Sequence, residues 1–171
     1  MEMERSRRSL QLLLTGDSMI TRHAFVEDDE PTRELLELIR SADLAFTNLE
    51  VLPNDFRGYP ASECGGTHMA ANSWVLDDLI SAGFDLVSAA TNHALDYSIA
   101  GLLAAIEALE ARGLPFAGIG RNLAEARMPA YVETSAATFS LVACASTFAK
   151  GQQAAEQRPD MPGRPGVNPL R

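Results

Sequence analysis

Three short clusters in the sequence hold residue types that can move protons or bind a cation. They are Gly16-Asp17-Ser18, Asn48-Leu49-Glu50, and Asn92-His93 followed by Asp96. Brought together, they would supply carboxylates, carboxamides and an imidazole. Such a set suits acid–base catalysis, in which one group takes a proton while another returns one, and its oxygen and nitrogen atoms could equally ligate a divalent cation. Each residue also has a structural alternative. Asp17 can cap a turn or a helix start, Asn48 can form a turn, and Glu50 can be a solvated loop acid. His93 can be a satisfied strand-end histidine, and Asp96 can belong to the entry turn of the following helix.

The clusters matter because each follows a short apolar run. Ligands of open parallel sheets bind beyond the carboxyl ends of the strands. Residues 10–14, 44–47 and 86–90 read as three such strands, alternating with helices over 33–40, from Asn72-Ser73 to Gly83, and over 98–112. Alternation of this kind predicts βα units and a largely parallel sheet. A further strand is expected over 116–119, a helical turn over 123–127, and a hairpin from 131–134 and 138–144 across Ser135-Ala136-Ala137. A long Pro-, Gly- and Asn-containing loop over 52–71 carries Cys64 and His68. The final stretch, 151–171, holds four Pro and three Gly without periodicity and is expected to be extended or disordered.

Composition narrows the function. The chain of 171 residues carries 14 basic and 23 acidic side chains, a net charge of −9. Residues 23–149 alone carry −12, while both ends are mildly basic. Phosphate backbones would repel such a body, so nucleic acid is not an expected partner. The apolar run at 10–14 is too short for a signal peptide or a membrane span, and two cysteines 80 positions apart read most simply as free thiols. Both features predict a cytoplasmic location without a membrane span. Cys64 has no base next to it in sequence and Cys144 falls in an apolar strand, so neither is expected to be a nucleophile. His23 and His68 stand alone in loops. Gly118-Ile119-Gly120 lacks the spacing of a phosphate loop.

Taken in order, these motifs resemble the CapA-type family, named for capsular poly-γ-glutamate synthesis. The resemblance rests on Thr15-Gly16-Asp17-Ser18-Met19, on Ala42-Asp43-Leu44-Ala45-Phe46-Thr47-Asn48-Leu49-Glu50, and on Ala82-Gly83-Phe84-Asp85 running on through Thr91-Asn92-His93-Ala94-Leu95-Asp96-Tyr97. Gly118-Ile119-Gly120-Arg121-Asn122 and the closing Arg164-Pro165-Gly166-Val167-Asn168-Pro169-Leu170-Arg171 fit as well. It implies an α/β fold, the N-terminal portion of a metallophosphatase-like αββα sandwich with a mostly parallel sheet plus a hairpin. Residues 1–150 would form the incomplete domain, 151–171 an extended tail, and a C-terminal segment or partner chain would complete the fold.

The resemblance also implies roles. Asp17 matches the aspartate of the first metallophosphatase motif, but Met19 stands where that motif has a histidine. Asn48-Leu49-Glu50 replaces a Gly-Asp motif, and Asn92-His93 matches the motif in which Asn ligates metal and His assists the leaving group. Any divalent metal would fall to Asp17 and Asn92, yet two cations about 3.5–4 Å apart need most of the ligands that are replaced here. The implied function is therefore acid–base chemistry on a peptide or poly-γ-glutamate-type substrate, either amide hydrolysis or α-carbon epimerisation. Asp17 and His93 would be catalytic, with Asn48, Glu50, Asn92 and Asp96 binding substrate. The alternatives are a metal-dependent phosphoesterase and a non-catalytic polyglutamate-binding or assembly subunit, for which Arg22, Arg121 and Arg127 would have to offset the acidic body.

Overall fold

The computed structural model describes residues 9–25, 29–64 and 66–170. Arg5, Arg7, Arg8 and Arg171, which contribute to the basic ends, lie outside the described residues. Strand β1 (Leu12–Asp17) leads through helix α1 (Glu30–Arg40) to β2 (Leu44–Asn48). Helix α2 (Trp74–Ala82), strand β3 (Leu86–Ser88), helix α3 (Ser98–Arg112) and strand β4 (Phe116–Ala117) follow. The four strands pair in chain order and every pair is parallel. Right-handed crossovers between successive neighbours place the connecting helices on one face of a sheet, and here α1 packs on α2 and α2 on α3. The expected α/β architecture is present.

Local chemistry sets the element ends. The Asp29 side chain accepts the Thr32 backbone N–H at 2.8 Å, with Pro31 in the first turn and Arg40 in the last, so α1 begins earlier than the expected residue 33. Gly83 and Gly113 close α2 and α3 in left-handed conformations. Ser73 occupies the N-cap of α2 without a capping side-chain bond. Tyr97, not Asp96, is the N-cap of α3.

The strand expected over 116–119 is broken at Gly118, which has φ +98°. A Cβ there would lie 2.4 Å from the Ala90 Cβ, so the chain can turn past the end of β3 only with glycine. Beyond the break, β5 (Ile119–Gly120) leaves the parallel sheet. It pairs antiparallel with β8 (Gly166–Val167). Helix α4 (Leu123–Ala126) and the hairpin of β6 (Ala130–Glu133) and β7 (Thr138–Leu141) lie between them in sequence.

The Pro- and Gly-rich final stretch is extended and packed. Val167 is fully buried in the main core, and Ala154 packs with Leu123 and Ala126. Its backbone groups find long-range partners, with Ala154 N–H donating to Val167 O, Val167 N–H to Gln152 O and Asn168 N–H to Gly118 O. Those bonds and buried side chains hold it in place despite a composition that favours solvated loops.

The sheet alternates as a period of two requires. Ala45 and Val87 join the core beneath the helices, with Leu76, Leu79, Leu102 and Ile106. Leu44, Leu86 and Ala117 point the other way and pack with Phe46, Val132 and Phe139 in a smaller cluster under the hairpin. Toward the β1 edge that second face is open, with Leu12 50% and Leu14 69% exposed. No helix among the described residues is long and apolar enough to cross a membrane.

Candidate active site

Parallel register brings the three clusters together. Asp17 lies opposite Asn48, and Asn48 opposite Ser88, at the carboxyl ends of neighbouring strands. The ladder shifts register between Leu14 and Asp17. At that irregularity the Thr47 hydroxyl donates to Gly16 O at 3.0 Å and lies 2.6 Å from Ser18 Oγ. Thr47 is fully buried, so these bonds both satisfy its hydroxyl and fix the turn that presents Asp17.

From there a continuous polar chain crosses the sheet edge. Asn48 Nδ2 donates to Asp17 Oδ1 at 2.8 Å and to Glu50 Oε2 at 2.9 Å. Glu50 Oε1 lies 3.9 Å from His93 Nε2, and His93 Nδ1 lies 2.7 Å from Asp96 Oδ2. A carboxylate only accepts, so Nδ1 carries a hydrogen toward Asp96, and it is the other ring nitrogen, Nε2, that faces Glu50. The Asp96 side chain is 1% exposed, those of Glu50 and His93 13% and 16%. Asp96 also accepts the Met69 N–H at 2.8 Å, which pins it to the long loop before α2. The Thr91 hydroxyl accepts the His93 N–H at 3.0 Å and donates to Glu50 O at 3.3 Å, tying the two segments together.

Glu50 is the group that electrostatics single out. Its carboxyl is held above the ordinary value of 4.5, first by burial and then by the negative charge of Asp17. His93 and the Asn48 hydrogen bond pull the other way.

Asn48, Glu50, Thr91 and Asn92 line one wall of a cavity of about 240 Å³, and Cys144, Ala145, Ser146 and Thr147 line the facing wall. Sequence reasoning missed that facing wall. Strand β7 stops at Leu141, so Cys144 is not a core strand residue but an exposed thiol at the cavity. The final stretch positions this segment. Asn168 Nδ2 donates to Ala143 O, Ala145 N–H to Asn168 O, and Leu170 N–H to Ala145 O. Asn168 falls within a motif of the family resemblance, which is the signal that could have found it. His23 stays outside the cluster, stacked on Trp74 at 4.0 Å and bound to Asp78. Arg121 is committed to Glu110 and Glu125, which leaves it little capacity to hold a polyanion.

The metallophosphatase-type metal centre fits these residues poorly. Between the carboxylates of Asp17 and Glu50 stands the Asn48 amide, whose hydrogens point at both, where a shared cation would need lone pairs. No three His, Cys, Asp or Glu side chains among the described residues converge as a metal-binding group.

The family model described as bacterial capsule synthesis protein PGA_cap matches residues 11–170. The chain belongs to that family. Two uncharacterized proteins of Sinorhizobium fredii (strain NBRC 101917 / NGR234) are similar to this PGA_cap chain. They are y4sH, 32% identical over 163 residues, and y4uA, 33% identical over 164. Each match covers 94% of this chain and 35% of the relative. The capsule biosynthesis protein CapA of Bacillus anthracis is 24% identical over 172 residues, covering 96% of this chain and 41% of that protein. The PGA_cap chain thus spans little more than a third of the length of the curated relatives it matches.

Proposed function

We propose that this chain carries the acid–base centre of a capsule-biosynthesis enzyme acting on a peptide or poly-γ-glutamate-type substrate. The supporting observation is the placement of Glu50, whose carboxyl is raised above its ordinary value, against Nε2 of His93, a ring oriented by buried Asp96. In this reading His93 is the base and Glu50 the acid. Proton uptake by His93 places a positive charge beside Glu50, which favours release of the Glu50 proton, so the two transfers support each other. Asp17 sets the field on Glu50, and Asn48 holds both carboxylates in place. Asn92, Ser146 and Thr147 offer hydrogen bonds to an amide in the cavity.

The same pair serves two outcomes. Water activated by His93, with Glu50 protonating the leaving amine, hydrolyses an amide; removal and return of a proton at a peptide α-carbon gives epimerisation. The open apolar face at Leu12 and Leu14 supports the further reading that another polypeptide layer, from a longer chain or a partner, packs on this sheet. A cytoplasmic location belongs to the same proposal, supported by two free thiols.

The test is incubation of the purified protein with glutamyl peptides in deuterated water, read by mass spectrometry and chiral analysis. Hydrolysis yields new termini, whereas epimerisation yields α-carbon deuterium without cleavage. Both Glu50→Gln and His93→Ala should abolish turnover with the fold intact by circular dichroism. Turnover retained in both variants would refute the assignment, and peptide binding without turnover in the wild type would favour an assembly role.

A further inference from the structure

Outside the site, one cluster pairs a nucleophile with a base. His68 Nε2 lies 2.7 Å from Ala61 O, and His68 Nδ1 lies 3.7 Å from Cys64 Sγ. A carbonyl oxygen only accepts, so Nε2 carries the hydrogen and the Nδ1 lone pair faces Cys64 Sγ, whose own hydrogen is donated to Gly66 O at 2.8 Å. The sequence offered Cys64 no base beside it; the fold brings one near from four residues later. Cys64 is half-buried, whereas Cys144 is exposed.

The loop bearing this pair is fastened at both ends to one residue of the candidate site. Ala61 N–H donates to Asp96 O at 2.8 Å, and Met69 N–H donates to Asp96 Oδ2 at 2.8 Å. Asp96 Oδ2 is also the atom that holds His93 Nδ1. His68 bridges the loop by bonding back to Ala61, the residue that makes one fastening, while its neighbour Met69 makes the other. The other oxygen of Asp96, Oδ1, is buried with no hydrogen-bond partner, so its carboxylate depends on these few bonds for its orientation.

We propose that Cys64 and His68 form a reactive thiol–imidazole pair that accepts small disulfides, and that modification of Cys64 loosens the loop holding Asp96. In the reaction the thiol hydrogen turns from Gly66 O to His68 Nδ1, which takes the proton as Cys64 Sγ attacks one sulfur of the disulfide. The new S–S bond forms as the old one breaks, and the departing thiolate takes the proton from the imidazolium. A group added at Sγ displaces the His68 ring from its place between Cys64 and Ala61. The Met69 and Ala61 amides then lose their hold on Asp96, and with it the orientation of His93.

Labelling with dipyridyl disulfide, followed at each cysteine by peptide mass spectrometry, tests the pair directly. Cys64 should react about tenfold or more faster than the more exposed Cys144. His68→Gln, which can still donate to Ala61 O but offers no base, should remove that excess. Equal rates in the wild type, or an excess that survives His68→Gln, would overturn the pair, and the wild-type comparison stands even if the variant misfolds. Amide hydrogen exchange tests the coupling: modified protein should exchange faster at Ala61 and Met69, and unchanged exchange would overturn it. Any effect on turnover rests on the acid–base reading above, but labelling and exchange do not. Fast labelling of an inactive protein would therefore count against the enzyme reading and leave the thiol pair standing.

Discussion

The two faces of the parallel sheet are made of similar residues and end in different surroundings. Beneath the helices, Ala45 and Val87 are buried with Leu76, Leu79, Leu102 and Ile106. On the other face, Leu44, Leu86 and Phe46 meet the β6–β7 hairpin, while Leu12 and Leu14 remain exposed. Sequential strand order explains the difference, because it commits every crossover helix to one side and leaves the hairpin to shield part of the other. A cavity of about 260 Å³ marks the boundary, lined by Leu12, Leu14, Phe46 and Phe139 among others. Apolar strand residues therefore do not report how well a face is covered.

Truncations on the two faces should break or confirm this contrast. Leu76→Ala, at a fully buried position, should cost about 3 kcal/mol in urea unfolding. Leu14→Ala should cost under about 0.5 kcal/mol in this chain, and equal losses would mean the faces are equally covered. Phe139→Ala, half-buried on the hairpin's sheet-facing side, should fall between them at about 2 kcal/mol, because only part of the ring leaves water.

Titration sharpens the comparison at the sheet's carboxyl edge. The Glu50 carboxyl is raised in the fold, so the native state holds its proton more tightly than the unfolded chain does. Stability should fall as pH rises from about 4.5 through the raised value, and stay lower above it. Glu50→Gln should flatten that slope and stabilise the protein at neutral pH; an unchanged slope would contradict the burial argument. A small effect belongs to the helix layer. There the Arg112 guanidinium, bonded to Asp77 at 2.7 Å, holds the aspartate below its ordinary 3.8. This contribution is present above pH 3.8 and is lost as pH falls through the lowered value. With Asp77 more than half exposed, Asp77→Asn should cost only about 0.5 kcal/mol and less in high salt.

Much of the fold could be read locally. The ends of α2 and α3 follow from Gly83 and Gly113, whereas the Asp29 cap that starts α1 went unread, and the apolar runs that become β1, β2 and β3 end where polar clusters begin. Strand limits were less legible, because pairing partners decide them: β1 extends to Asp17 through its contacts with Asn48, and β4 stops where Gly118 must pass Ala90. The final stretch was the least legible. Its backbone bonds run to Gly118, Ala145 and Gln152, and composition carries no trace of such distant partners.

The same division holds for the candidate site. The residue types that converge, Asp17, Asn48, Glu50, His93 and Asp96, were fixed by the sequence alone, since their chemistry and their places at strand ends are local properties. Only the tertiary structure decided which carboxyl is raised, which nitrogen of His93 carries its hydrogen, and that Cys144 faces the cavity while Cys64 meets His68. Those properties depend on burial and on contacts across the sheet or around a loop, and both exist only once the chain has folded.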